Sequence, residues 1–253
     1  MGIVNVSPDS FSGDGLADVE AAVCLGKQLV VDGADIVDVG GESTRPGSQP
    51  ISVGEELRRV IPVVRRLSRE LAAPISVDTC KLQVARQAVD VGARIINDIW
   101  GLKRTPALAD LAAERGIPII LMSNQRDKPA GDIVRAVLSD LRRAIGQAVE
   151  RGVAPENIIV DPGIGFGKTL EQNLELVHKL DRLKDLGRPI LLGTSRKSLI
   201  GLVLNLPAED RLEGTAATVA IGIAGGADIV RVHDVAGMMR VCRMSDAVVR
   251  ARK

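Results

Sequence analysis

The chain has 253 residues, of which 45% are apolar and 26% are charged. Its 33 basic and 32 acidic side chains leave a formal net charge of +1. This composition excludes general disorder, and the near-neutral balance gives no electrostatic footprint for a nucleic-acid partner or an anionic membrane. Because the aromatic residues are only one Trp and two Phe, we expect a core built from Ile, Val, Leu and Ala.

The cysteines and the hydropathy indicate the compartment of the protein and the kinds of site it can contain. Cys24, Cys80 and Cys242 are widely spaced and form no CxxC pair, which favours a reducing compartment and predicts neither a disulfide framework nor a zinc site. No stretch reaches the roughly 18 apolar residues that a membrane helix needs, and the first residues lack a signal-peptide pattern. We therefore expect a cytoplasmic protein without a membrane or nucleic-acid partner.

Eight short β-rich runs alternate with segments that carry apolar residues at helical spacing. Most of the runs are continuously apolar, as expected for parallel strands covered on both faces. They are residues 2–6, 35–39, 75–78, 94–97, 117–122, 157–161, 189–193 and 228–232. In the first helical segment, Val19, Ala22, Leu25 and Leu29 fall on one face.

The junctions between helices and strands repeat, with either a glycine that can end the helix or a proline that blocks its continuation. We find no linker or change of composition that marks a second domain. Eight β/α units in this length predict an α/β fold, a single (β/α)8 TIM barrel that forms one domain over residues 1–253. An open doubly wound sheet is the alternative.

Polar residues follow seven of the eight predicted strands. One such residue can simply cap the next helix. In a barrel, however, the carboxyl ends of the strands meet at one mouth, where active sites of this fold lie. Seven together therefore predict a functional site, built from Asn5, residues 40–47, Asp78, Asn97, Asp161, residues 194–198 and residues 231–234.

Two familiar motifs are excluded by their spacing. The run PGIGFGK at 162–168 follows a strand, but only three residues separate Gly163 from Gly167, whereas a P-loop requires four. The chain has no evident Ser–His–acid set. Of the two histidines, His178 lies in a helical pattern that predicts a solvated face, and His233 follows strand eight directly and is the better functional candidate.

Seven motifs at the strand ends resemble those of the dihydropteroate synthase family, and the similarity runs from residue 2 to about residue 240. They are NVSPDSFS, GGESTRPG, SVDT, NDI, DPGIGFGK, SRKS and RVHD. The resemblance implies a barrel enzyme of folate biosynthesis, usually a homodimer. Such an enzyme joins p-aminobenzoate to 7,8-dihydropterin-6-ylmethyl diphosphate, with Mg²⁺, and releases pyrophosphate.

The resemblance also implies a pterin site. Asp78, Asn97 and Asp161 would hold the pterin ring, and Lys197 would donate to acceptors on its other edge. The chemistry agrees, because a pterin edge presents an amine and a ring N–H side by side, and a carboxylate accepts such donors in pairs.

By the same resemblance, Arg231 and His233 would bind the diphosphate and Asn5 would contact both the diphosphate and the metal. Cations at this point would stabilise the departing pyrophosphate as the C–O bond breaks. The catalytic residues are thus expected to be Asn5, Lys197, Arg231 and His233. Since the family reacts through a pterin-stabilised cation, no nucleophilic side chain is required.

For the second substrate, the resemblance implies that Ser198 contacts the p-aminobenzoate carboxylate. Phe11 and Pro46 would pack on its ring from the first two loops, and Arg45 would help to close those loops.

Two positions depart from the family pattern. In the first loop the acid is Asp14, which follows the run SFSG, whereas the family often has an acid directly after SFS. Ser123 occupies the position where the family commonly has a histidine. Lys168 matches a family motif without revealing a chemical role. Two alternatives stay open: a methyltetrahydrofolate-binding methyltransferase, which would share the ring contacts but need no diphosphate site, and a non-catalytic pterin-binding paralogue.

Overall fold

A computed structural model describes residues 1–6, 19–43, 48–127 and 131–251. All eight predicted strands are confirmed. They are β1 (Gly2–Asn5), β2 (Val37–Gly40), β3 (Ile75–Asp78), β4 (Ile95–Asp98), β5 (Ile119–Met122), β6 (Ile158–Asp161), β7 (Leu191–Leu192) and β8 (Ile229–Val230).

The strands follow one another around a closed parallel ring. β1 to β6 form one sheet in chain order, and β7 pairs with β8. Single parallel bridges join the two sheets, between Val160 and Ile190 on one side and between Gly2 and Val232 on the other. The predicted barrel is therefore confirmed, and an open doubly wound sheet is excluded because β1 has neighbours on both sides.

Helices follow the strands and cover the outside of the ring. They are α1 (Val19–Val31), α2 (Val53–Glu70), α3 (Leu82–Asp90), α4 (Ala107–Arg115), α5 (Ile133–Glu150), α6 (Leu170–His178), α7 (Ser198–Leu204), α8 (Leu212–Gly225) and α9 (Val235–Val249). Local chemistry sets several starts: the side chains of Ser52, Asp132 and Thr169 accept hydrogen bonds from the first turns of α2, α5 and α6. In the described chain, no helix is long and apolar enough to cross a membrane.

Aliphatic side chains fill the interior, as the composition predicts. The main cluster lies between the strands and the helices. A separate small cluster contains Ile95, Ile120, Ile159 and Leu191. Because side chains two residues apart share one face of a strand, Ile95 and Ile159 lie directly below Asn97 and Asp161. This cluster therefore forms an apolar floor beneath the polar carboxyl ends of the strands.

Candidate active site

The carboxyl ends of the strands bring the predicted pterin residues to one mouth. Asp78 ends β3 and lies in register with Asn97 of β4, and Asp161 ends β6. Asn97 and Asp161 are buried. Arg231 follows β8 directly, and Lys197 is the residue that precedes the first turn of α7.

Asp38 is a member of this site that the sequence analysis missed. Its side chain is completely buried in β2. Its Oδ2 accepts hydrogen bonds from Nε of Arg231 at 2.7 Å and from Nδ2 of Asn97 at 3.1 Å. Arg231 also donates from its terminal nitrogen to Oδ2 of Asp78 at 3.0 Å. One guanidinium therefore joins two carboxylates at the mouth of the barrel.

These contacts fix the orientation of Asn97. Because its amide nitrogen must face the Asp38 carboxylate, its amide oxygen is left as the atom that can accept from a ligand. The other carboxylate oxygen of Asp38 is buried without a hydrogen-bond partner among the described residues.

The electrostatics of this cluster are unusual. Burial raises the pKa of Asp78 to about 7, although the Arg231 charge opposes the shift; the nearby Asp38 carboxylate adds to it. Burial disfavours the charge on Arg231, but the attraction of Asp38 and Asp78 outweighs it and raises the pKa of the guanidinium. Arg231 is thus held as a permanent cation between groups whose charge it stabilises.

Lys197 and Asp161 form the opposite side of the site. Nζ of Lys197 donates to the Ile164 carbonyl at 2.6 Å and lies 4.9 Å from the centre of the Phe166 ring. Oδ1 of Asp161 accepts from the Gly163 N–H at 2.6 Å. Burial lowers the pKa of Lys197 to about 8 against the attraction of Asp161, and burial raises the pKa of Asp161.

Residues 162–168 form a segment that we call the glycine loop. Its glycines allow its backbone to contact the backbone of the segment after β5. Gly163 and Gly167 both have φ +71°, and a Cβ at Gly163 would lie 2.1 Å from the Ser123 carbonyl oxygen. A Cβ at Gly167 would lie 2.4 Å from the Arg126 nitrogen. The motif that failed the P-loop spacing therefore serves a close approach to the segment after β5.

His233 and Ser195 are in direct contact. Nδ1 of His233 lies 3.0 Å from Oγ of Ser195, which also accepts from the His233 backbone N–H at 3.2 Å. Burial, with the nearby Arg231 and Arg196 charges, lowers the pKa of His233 to about 3. The imidazole is therefore neutral at physiological pH. Arg196 itself donates to Asp234 at 3.0 and 2.5 Å, so it serves an ion pair beside the site.

The remaining predicted residues are placed as follows. Asn5 ends β1 in register with Gly40, and Ser198 is the exposed first residue of α7. Phe11, Asp14, Arg45 and Pro46 lie outside the described residues. Ser123, at the position of the second departure, donates to Asp140 at 3.2 Å.

The model of one family, described as pterin binding enzyme, matches residues 1–233. The chain belongs to this family. The match includes every strand whose carboxyl end carries a predicted site residue, and it ends at His233.

Individual members of the pterin-binding enzyme family are similar over nearly the whole chain. The dihydropteroate synthase of Bacillus subtilis is 53% identical over 249 residues, which cover 98% of this chain and 87% of the relative. A crystal structure of the Clostridium difficile dihydropteroate synthase with pteroic acid has a TM-score of 0.94 at 48% identity, covering 99% of this chain and 96% of that one.

A second crystal structure, of the Xanthomonas albilineans dihydropteroate synthase with 4-aminobenzoic acid, also has a TM-score of 0.94. It is 44% identical and covers 100% of this chain and 93% of that one. The fold around the candidate site is thus the fold of family members that have been crystallised with pteroic acid and with aminobenzoate.

Proposed function

We propose that the protein is a dihydropteroate synthase, which condenses 7,8-dihydropterin-6-ylmethyl diphosphate with p-aminobenzoate in folate biosynthesis. The observation that carries the proposal is the hydrogen-bonded cluster of Asp38, Asp78, Asn97 and Arg231, in which Asp38 and Asn97 are buried. It lies at the barrel mouth of a chain that is 53% identical to the Bacillus subtilis enzyme. Ring acceptors and a fixed cation are there within hydrogen-bond distance of one another.

The pterin ring is held from two sides. Asp78 and Asp161 accept from the exocyclic amine and ring N–H groups, and Asn97 accepts through the oxygen that its contact with Asp38 leaves facing away. Lys197 donates to acceptors on the other edge of the ring. The apolar floor below these side chains keeps the ring from sinking deeper into the barrel.

The diphosphate binds beside the ring, at Arg231, His233 and Asn5. Two of the five guanidinium N–H groups serve Asp38 and Asp78, which leaves donors for phosphate oxygens. His233 is neutral, so it donates one N–H without a charge. These groups stabilise negative charge as it develops on the leaving group.

In the reaction, the C–O bond between the pterin methylene and the diphosphate breaks, and its electron pair leaves with pyrophosphate. The p-aminobenzoate nitrogen forms the new bond to the methylene carbon and gives up one proton to water. No side chain forms a covalent intermediate. The protein contributes by orienting both substrates and by stabilising the departing charge.

The donor set suits Mg²⁺ only when the diphosphate is present. The described residues contain no group of three or more His, Cys, Asp or Glu side chains that could hold a metal ion. Asn5 offers one amide oxygen at the mouth, and Mg²⁺ commonly combines few protein ligands with substrate phosphates and water. Asn5 would hold the ion there, and the bound ion would neutralise phosphate charge.

The p-aminobenzoate site lies where α7 begins. Ser198 is exposed at the first position of this helix, one residue after Lys197, and would contact the carboxylate. Phe11, Arg45 and Pro46 would complete this site from the first two loops.

We further propose that the protein is a cytoplasmic homodimer that associates through its C-terminal helices. Large apolar side chains are exposed on α7, α8 and α9, which pack on one another in sequence. Leu202, Ile221, Met244 and Val248 are each more than half exposed, at 66%, 53%, 65% and 66%. Sedimentation of the protein and of an Ile221→Glu variant tests this, and a monomeric wild type would contradict it.

The activity is tested by incubating the protein with both substrates and Mg²⁺. We expect dihydropteroate and pyrophosphate in equal amounts, and their loss in an Asp161→Asn variant. Methyl transfer from methyltetrahydrofolate instead would identify the methyltransferase alternative. Tight pterin binding without product would identify a non-catalytic paralogue.

A further inference from the structure

Lys168 is a half-buried lysine that takes no part in the reaction outlined above, and burial lowers the pKa of its ammonium group to about 7. Its side chain turns back toward the barrel, and Nζ donates to the carbonyl oxygens of Ser123 and Gly163, each at 2.8 Å, and of Phe166 at 3.3 Å. An ammonium group has three N–H donors. In the protonated form all three are therefore used on main-chain carbonyls, which is the arrangement of a structural clamp.

The clamp joins two separate segments of the mouth. Ser123 follows β5, and Gly163 and Phe166 belong to the glycine loop after β6. The same two segments are also joined by the Gln125 N–H, which donates to the Phe166 carbonyl at 3.1 Å. The loop glycines leave no room for a Cβ against residues 123–126, so the loop packs directly on the backbone that follows β5. The hydrogen bonds of Lys168 hold the loop in this position.

The position of Lys197 depends on this loop. The Ile164 carbonyl accepts from Nζ of Lys197 at 2.6 Å, and the Phe166 ring lies 4.9 Å from that nitrogen. A Cβ at Gly165 would already touch Cδ of Lys197 at 3.4 Å. The loop therefore contacts Lys197 at its stem, at its charged end and across an aromatic face.

We propose that Lys168 is a positioning residue, which fixes the glycine loop on the end of β5 and so sets the place from which Lys197 donates to the pterin. The inference rests on the proposed pterin site. It assigns a function to the lysine of the DPGIGFGK run, whose chemistry the sequence leaves open. In this role Lys168 acts through the position of Lys197 and not by binding either substrate.

A double-mutant cycle on pterin affinity tests this dependence, because residues that act through one contact are not additive. The variants are Lys168→Met, Lys197→Met and the pair, and the ligand is 6-hydroxymethylpterin, measured by calorimetry. Loss of one charge-assisted contact predicts about a tenfold loss of affinity for Lys168→Met. The double variant should bind within about twofold of Lys197→Met alone.

Lys103→Met is the matched control. Lys103 is also a mostly buried lysine that donates to a main-chain carbonyl after β5, that of Asn124 at 2.5 Å, and it pairs with Asp140 at 3.0 Å. Among the described residues, the hydrogen-bond and ion-pair partners of Lys103 lie outside the glycine loop. A general loosening of this end of β5 would appear in the Lys103→Met variant, and its effect should add to that of Lys197→Met.

The outcomes separate the two proposals. Wild-type protein that does not bind the pterin would overturn the proposed function together with this inference. Wild-type binding with fully additive losses for Lys168 and Lys197 would overturn only the positioning role. If Lys168→Met does not fold, the cycle is run with Lys168→Arg, whose planar fork cannot reach the three carbonyls in the same way, and additivity there overturns the role equally.

Discussion

Asp78 gives the sharpest prediction, because its carboxyl group titrates close to physiological pH. The perturbation is acidification of the wild-type protein, with Asp78→Asn as the comparison. The burial that raises the pKa of Asp78 to about 7 means that mild acid converts this group from an acceptor-only carboxylate to a protonated acid. A protonated Asp78 presents a donor toward the donor edge of the pterin.

The magnitude follows from the charged fraction. With a pKa of about 7, roughly 76% of Asp78 is charged at pH 7.5 and roughly 3% at pH 5.5. If only the charged form binds, pterin affinity falls about 25-fold between these values, or about 1.9 kcal/mol. The sign is fixed, since the group must lose a proton before the ligand binds.

Calorimetric titration with 6-hydroxymethylpterin at a series of pH values measures this fall. In Asp78→Asn the affinity should be lower at pH 7.5 and should vary less with pH, with the remaining slope due to Asp161, whose pKa burial also raises. The same 25-fold fall in Asp78→Asn as in the wild type would refute the reasoning. It would assign the titration to another group.

Three further predictions concern the rest of the mouth. Burial lowers the pKa of His233 to about 3 in the folded protein, against an ordinary value of 6.5. The contribution of the neutral imidazole to the free energy of unfolding is therefore present above pH 6.5 and is lost as the pH falls toward 3. In urea unfolding, the free energy lost between pH 6.5 and 4.5 should be about 2 kcal/mol smaller in His233→Asn than in the wild type. Asp38→Asn should lower kcat/KM about 100-fold, because Arg231 and Asn97 both lose the carboxylate to which they donate. Unchanged steady-state kinetics in a folded variant would exclude a role for Asp38 in orienting these two residues. The binding free energy of p-aminobenzoate should become about 1–3 kcal/mol more favourable when Mg²⁺ and pyrophosphate are added. This gain should shrink in Phe11→Ala, while pterin binding stays nearly intact. A titration that gives equal affinity in both conditions would indicate a preformed site.

The fold could be predicted because its signals are local. Continuous apolar runs predict buried parallel strands, and each of the eight runs overlaps an observed strand. The junction glycines act as expected, for example Gly226, which ends α8 at φ +106°. The last two strands are shorter than predicted, with two residues each, but Ile190 and Val232 of the predicted runs still form the bridges that close the ring.

The candidate site could be predicted only in part. Asp78, Asn97 and Asp161 stand at strand ends, where position alone suggests a role. Asp38 lies inside a strand. The sequence shows an acid within a continuously apolar run, but its role can be interpreted only when its charged partner is known. That partner is Arg231, 193 residues later, and no spacing rule reveals such a pair.

Contacts to main-chain groups could not be predicted from the sequence either. The three carbonyl oxygens that surround Lys168 belong to two loops, and every residue type has a carbonyl. The sequence shows the lysine and the glycines but not the surface on which they meet. The roles of such residues follow only from the arrangement of the backbone.

The closure of the ring has a consequence for how the protein folds. β8 reaches β1 through the bridge between Gly2 and Val232, a contact between residues 230 positions apart. Contacts of such long separation form slowly, since the entropy of closing the loop is lost before they stabilise anything. Until then, β1 and β8 are open edges that can pair with another chain. Arg231 lies beside this last contact, so the barrel completes its proposed anion site in the same step that removes its exposed edges.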